Sequence, residues 1–193
     1  MFRISDLRKR LMTESLKAKL QRVRLVILDV DGVLTDGRII MDEEGRELRS
    51  FDVKDGFGVR ALIEMGVLVG AISGRAAPCV EQRLRQLGVK EIFQGIRRKR
   101  EPFRQLLKKY GLRREETLFV ADDVYDMPLL EEVGVKVAVA DAVEEVRRMA
   151  DWVTKANGGR GAVREVAEAV LKAKGLWEKV LAKLYSWERD DNL

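Results

Sequence analysis

Three apolar runs of strand length each stop at a polar cluster, and this recurrence constrains the fold of the 193-residue chain more than any other feature. Residues 24 to 28 are followed by Asp29-Val30-Asp31-Gly32, residues 67 to 72 by Ser73-Gly74-Arg75, and residues 117 to 121 by Asp122-Asp123, with Asp126 close behind. A strand points residues i and i+2 to one side, so Asp29 and Asp31 can converge at a strand's carboxyl end. Open α/β sheets bind their ligands at such ends. Two like charges this close repel unless a cation lies between them, and hard carboxylate oxygens suit Mg²⁺. An isolated Asp-x-Asp-Gly also fits a solvated turn; three runs ending alike weigh against that.

Between the runs the pattern alternates. Helices are expected over 56 to 65, 76 to 87, 99 to 110, 126 to 133, 142 to 149 and 161 to 173. Further strands are expected over 91 to 93, over 135 to 139 and near Trp152-Val153. Such alternation predicts an α/β protein with a parallel sheet and helices on both faces. Arg38 to Met41 and Leu48 to Val53, separated by Asp42-Glu43-Glu44-Gly45, predict a small β-hairpin inserted after the first strand. Leu7, Leu11, Leu16 and Leu20 form the apolar stripe of a short helix within residues 1 to 23. Trp177, Val180, Leu181 and Leu184 recur at helical spacing, so 174 to 193 is an amphipathic helix that must bury one face. One domain is expected over 24 to 173, flanked by these two helices.

Composition narrows the chemistry. Lys and Arg number 37 against 32 Asp and Glu, a net charge of +5 in which both signs are interspersed. Nucleic-acid binding is not suggested; the small positive excess suits an anionic metabolite, and the dense mixed charge suits ion-pair networks. Cys79 is the only cysteine and histidine is absent, which excludes internal disulfides, zinc sites and Cys-His or Ser-His catalysis. No run approaches the roughly 18 apolar residues of a membrane span, and no apolar core of a secretion signal stands at the start, so a cytoplasmic protein without a membrane partner is expected. Gly56-Phe57-Gly58-Val59-Arg60-Ala61 matches a dinucleotide fingerprint, but it follows a hairpin rather than the first strand of a βαβ unit, so a nicotinamide enzyme is not expected.

Lys99 lies between the second and third runs, after Gly95 and before Phe103, Leu106, Leu107 and Tyr110, which are spaced as in a helix. The order acid pair, hydroxyl, lysine, acid cluster resembles the four motifs of the haloacid dehalogenase superfamily of phosphatases. More narrowly, Asp29 to Gly37 (DVDGVLTDG), Phe51 to Gly58 (FDVKDGFG) and Gly158 to Glu165 (GGRGAVRE) are similar to segments of the 3-deoxy-D-manno-octulosonate 8-phosphate phosphatases. Together these span roughly residues 24 to 170.

The resemblance implies a Rossmann-like domain without a large cap and a place in lipopolysaccharide biosynthesis. It implies Asp29 as nucleophile forming an aspartyl-phosphate, Asp31 as acid and base, and Mg²⁺ held by Asp29, the Asp31 carbonyl and Asp122, with Asp123 and Asp126 orienting ligands behind them. Ser73, the Gly74 amide and Lys99 would hold phosphoryl oxygens. Asp31, Lys99, the loop Asp52-Val53-Lys54-Asp55-Gly56, and Arg60, Arg75 and Arg83 would bind an anionic sugar phosphate, with Arg160 and Arg164 near an active site. For Arg60 and Arg83 the alternative is a surface helix arginine. A homotetramer is implied, in which one subunit's hairpin lies beside another's active site. Two positions depart from the pattern: Ala121 stands where glycine is usual and Tyr125 where asparagine is common. Two other readings stay open: the same chemistry on another acidic sugar phosphate such as a nonulosonate 9-phosphate, and a non-catalytic module related to those of some cytidylyltransferases. A receiver-like signalling domain would leave Asp31 and the 52–56 segment without purpose.

Overall fold

The computed structural model describes the backbone of residues 14–190 and side chains through Ser186; Leu7 and Leu11 of the expected N-terminal stripe lie outside it. β1 (Leu25–Leu28) is buried at every position, which is why it reads as an unbroken apolar run rather than an alternation. β2 (Ile40–Met41) and β3 (Glu47–Leu48) form a separate antiparallel hairpin. β4 (Leu68–Ile72), β5 (Glu91–Phe93), β6 (Thr117–Ala121), β7 (Val135–Ala138) and β8 (Trp152–Val153) join β1 in a six-stranded parallel sheet of order β5-β4-β1-β6-β7-β8.

Register turns this topology into a site. Leu28 is level with Ala71 of β4 and Val120 of β6, so the carboxyl ends of three adjacent strands finish together. The chain leaves β1 for β4 and β5, then crosses back to β6 on the other side. A crevice opens outside the strand ends at such a reversal. Asp29, Ser73 and Asp122 are the residues that emerge there.

The helices are α1 (described over 14–22), α2 (Val53–Glu64), α3 (Pro78–Gln86), α4 (Arg100–Tyr110), α5 (Met127–Leu130), α6 (Glu144–Met149), α7 (Ala162–Ala173) and α8 (Trp177–Asp190). Leu20 of α1 is buried in the core and Leu16 packs against it. The order of elements is as expected, with three corrections. The 52–56 segment is not a loop: Asp52 accepts a hydrogen bond from the Lys54 amide at 2.6 Å and caps α2, so the helix begins at Val53 instead of residue 56. The helix expected over 126 to 133 is a 3₁₀ turn (Val124–Asp126) followed by the four residues of α5. The hairpin pairs only Ile40 with Leu48 and Met41 with Glu47. Ile40 is 50% exposed and Met41 62%, so its apolar positions lack a cover among the described residues.

α2 and α7 cross closely, and Gly58 permits it: a Cβ there would lie 3.0 Å from Arg164 Cα and 3.1 Å from Ala167 Cβ. Gly58 of the false dinucleotide fingerprint therefore has a packing reason. α8 packs on its own chain. Val180 is buried, the Arg164 guanidinium stacks on Phe57 and Trp177 at 4.4 and 5.2 Å, and Lys183 pairs with Glu64 at 2.9 Å. No helix among the described residues is long and apolar enough to cross a membrane.

Candidate active site

A tight turn follows β1. The amides of Leu34 and Thr35 donate to the Val30 carbonyl, and Thr35 Oγ1 accepts from the Gly32 amide at 3.3 Å. Gly32 has φ +93°, and a Cβ there would overlap the Asp122 carboxylate. The turn thus needs glycine twice over, for its backbone and for the close approach of β1's end to β6's.

Asp29 is anchored by its amide, which donates to the Val120 carbonyl at 3.1 Å. Lys99 is buried just before α4, and its Nζ donates to Asp29 Oδ1 and Asp126 Oδ1, both at 2.5 Å. Asp126 Oδ2 accepts from the Asp122 amide at 3.4 Å. One lysine therefore bridges the acid after β1 and the acid after β6. Asp29, Asp122 and Asp126 each present an oxygen within 4.8 Å of the others. Burial, then the charge of Asp126, pushes the Asp29 carboxyl up to about 7 against the pull of Lys99. Burial, followed by the charges of Asp29, Asp126 and Asp123, pushes Asp122 up to about 8; burial likewise raises Asp126. Burial works to lower the Lys99 ammonium, and the charges of Asp29 and Asp126 overcome it, so its pKa is raised.

One ammonium faces three carboxylates, and the unneutralised excess is what a divalent cation would relieve. Carboxylate oxygens, some backbone carbonyls and room for water are the donor set Mg²⁺ takes. The residues present fit that ion. Asp126 stands closer in than a purely outer role implies, since it lies within the same oxygen cluster as Asp29 and Asp122.

These groups line a cavity of about 660 Å³ together with Asp31, Ser73, Gly74, Arg75 and Asp123. Ser73 is buried, and its Oγ accepts from the Arg75 amide at 3.1 Å. Asp123 accepts from the Val124 amide and caps the turn that carries Asp126. Ala121 lies wholly buried in β6 beside Ala138, and Tyr125 is 81% exposed at the cavity rim, so both departures from the family pattern leave the carboxylates undisturbed.

The other expected substrate contacts do not converge here. Arg60, Gly56 and Arg83 line a separate cavity of about 290 Å³ between α2, α3 and α8, where Arg83 Nε is buried without a hydrogen-bond partner among the described residues. Asp52, Val53 and Lys54 line a third hollow with Arg160, whose guanidinium pairs with Asp36 at 3.3 Å. Asp55 is buried, and its two oxygens accept from the Gly161 and Arg164 amides at 3.1 and 2.8 Å, at the start of α7. Arg164 is held by Glu168 and the two aromatic rings.

Sequence reading missed Arg49 and Glu47. Arg49 Nε donates to Asp31 Oδ1 at 2.8 Å and its Nη2 to Glu47 Oε2 at 2.8 Å, while Glu47 Oε1 accepts from Arg75 at 2.6 Å. Their spacing of two, on a strand whose Leu48 points the other way, was the available signal.

Comparison with known proteins agrees with this geometry. The haloacid dehalogenase-like hydrolase family model matches residues 85–166. The 3-deoxy-D-manno-octulosonate 8-phosphate phosphatase KdsC of Escherichia coli K12 is 46% identical over 158 residues, covering 82% of this chain and 84% of that one. The crystal structure of the Moraxella catarrhalis 3-deoxy-D-manno-octulosonate 8-phosphate phosphatase, in complex with magnesium ion, phosphate ion and KDO, has a TM-score of 0.85 at 35% identity, covering 88% and 98%. A Legionella pneumophila structure described as a hydrolase of the same superfamily, subfamily III A, has a TM-score of 0.90 at 37% identity, covering 93% and 99%. With its strand-end acids, bridging lysine and small hairpin in place of a cap, the chain belongs to the 3-deoxy-D-manno-octulosonate 8-phosphate phosphatase family of haloacid dehalogenase-like hydrolases.

Proposed function

We propose that this protein is a Mg²⁺-dependent phosphomonoesterase that hydrolyses 3-deoxy-D-manno-octulosonate 8-phosphate to the free sugar acid and phosphate. The observation that carries the reading is Lys99 bridging Asp29 and Asp126 beside Asp122, at the aligned ends of β1 and β6. A non-catalytic module would have no use for this costly concentration of buried charge.

Asp29 is the nucleophile. Lys99 fixes its Oδ1 and leaves Oδ2 for in-line attack on phosphorus, forming an aspartyl-phosphate as the P–O bond to the sugar breaks. Asp31 lies two residues on along the same chain direction and lines the same cavity. It gives its proton to the departing alkoxide, then takes one from the water that attacks the aspartyl-phosphate. That second attack releases phosphate and returns Asp29. Ser73 and the Gly74 amide donate to phosphoryl oxygens, and Lys99, lining the same cavity, adds positive charge. Asp29, the Asp31 carbonyl and Asp122 would hold Mg²⁺, which when bound supplies the charge that lets an anionic phosphoryl group approach these acids.

The protein acts as a homotetramer in the cytoplasm, with residues 24–173 as the catalytic domain. The exposed apolar hairpin supports association. The absence of a membrane-spanning helix among the described residues is compatible with that location. A phosphate-release screen over sugar acid phosphates, with and without Mg²⁺, tests the reading. Greatest kcat/KM on 3-deoxy-D-manno-octulosonate 8-phosphate supports it, and preference for a nonulosonate 9-phosphate replaces the substrate while leaving the chemistry. Light scattering that finds an active monomer removes the assembly.

A further inference from the structure

Asp31 must aim one oxygen at the leaving group, and a carboxylate on a short turn can rotate away. The hairpin supplies what prevents this. Arg49 reaches from the residue after β3 to Asp31, and its side chain is fully screened from solvent. All three of its guanidinium nitrogens are engaged: Nε with Asp31 Oδ1 at 2.8 Å, Nη1 with the Leu48 carbonyl at 3.1 Å and Nη2 with Glu47 Oε2 at 2.8 Å. Glu47 is held in turn by Arg75 at 2.6 Å. A chain of alternating charge therefore runs Asp31, Arg49, Glu47, Arg75, from the end of β1 across the hairpin to the loop after β4.

We propose that Arg49 is a positioning residue for Asp31 as the acid that protonates the leaving oxygen, and that Glu47 fixes Arg49 for that task. The inference rests on the phosphatase reading above and goes beyond it, since it gives the hairpin a catalytic purpose inside its own subunit. A guanidinium fork with every nitrogen occupied and no exposure is not offered to substrate. It takes Asp31 Oδ1 and leaves Oδ2 for the leaving oxygen. A planar fork holds a carboxylate in orientation as well as in place. The two-stranded ribbon is marginal alone, and the same ion chain keeps it against the site.

The test compares two esters, because a proton donor matters for a sugar alkoxide and little for a nitrophenolate that departs without one. Arg49→Met is expected to lower kcat on the sugar acid phosphate by about 10- to 100-fold, less than the roughly 100- to 10,000-fold that a general acid contributes, because Asp31 itself remains. On nitrophenyl phosphate the same variant should lose less than roughly 3-fold, since only the proton-dependent part is affected. Arg49→Lys should recover part of the loss, keeping the charge but not the fork. Where Arg49→Met fails to fold, Glu47→Gln carries the same comparison, with a smaller loss confined to the sugar ester. Equal losses on both esters, or none on either, overturn the proposal. Wild-type substrate preference decides the phosphatase reading separately: if another phosphate ester is the better substrate, the ratio against nitrophenyl phosphate on that ester still decides the role of Arg49.

Discussion

Removing the divalent cation should make stability fall as pH rises, and the site gives the size of the effect. In the metal-free fold the Asp29 carboxyl is raised from 3.8 to about 7. The folded state then holds a proton that the unfolded state has released over that interval. Stability rises with pH only where the unfolded state binds more protons, so here it falls. This contribution is fully present below pH 3.8 and is lost as pH climbs through about 7. A shift of about three units, at about 1.36 kcal/mol each, amounts to roughly 4 kcal/mol. Asp122 acts in the same direction up to about 8. Mg²⁺ takes the place of these protons, so its stabilisation should grow with pH. Between pH 5.5 and 8.5 about 1.5 of those units are lost, roughly 2 kcal/mol, which for a domain of this size is a Tm shift on the order of 5 °C. Calorimetry near pH 5.5 and about pH 8.5, each with EDTA and with saturating Mg²⁺, measures the increment and cancels carboxylates elsewhere. A Tm increment of equal size at both pH values would refute the reasoning, and Asp122→Asn should shrink the difference.

Other expectations follow from the packing. Gly58→Val should destabilise the protein by about 1–3 kcal/mol in urea unfolding, because its side chain would press on the Arg164 and Ala167 backbone region of α7; an unchanged midpoint would show that the two helices separate freely. Asp55→Ala should cost about 1–2 kcal/mol through loss of the α7 cap, with kcat changed far less than in Asp29 or Lys99 variants. A collapse of kcat at unchanged stability would return the Asp55 side chain to the substrate.

The strand ends were legible because burial and chemistry leave different marks on the chain. Val26-Ile27-Leu28 and Leu118-Phe119-Val120 are continuous apolar runs only because central parallel strands are covered on both faces, and the acids that follow them have no place in a core. Parallel register then brings those acids together without further information. What sequence leaves out is contact made by long charged side chains. Arg49 lies among Arg46, Glu47 and other charges that resemble a solvated strand, and only the fold of the hairpin over the site turns it toward Asp31. Lys99 stands in Arg97-Arg98-Lys99-Arg100 and differs from its neighbours by direction alone. The stripe on α8 announced a face to bury but not the surface that receives it, which is α7 and α2 of the same chain. Asp55 entered as a substrate contact through the resemblance of its segment; the Asp52 cap winds that segment into a helix, and the Asp55 carboxylate accepts from the α7 amides.

The central claim is that Asp29 attacks phosphorus. Purified wild-type protein and Asp29→Asn, matched in Tm, should be assayed for phosphate release from 3-deoxy-D-manno-octulosonate 8-phosphate in Mg²⁺, with acid-quenched wild type digested for mass spectrometry. The account predicts a loss of at least about 1,000-fold in the variant, on the scale seen when a nucleophile is removed, and a phosphoryl group on the Asp29 peptide of the wild type alone. Phosphate release by Asp29→Asn at a rate comparable with wild type would contradict it.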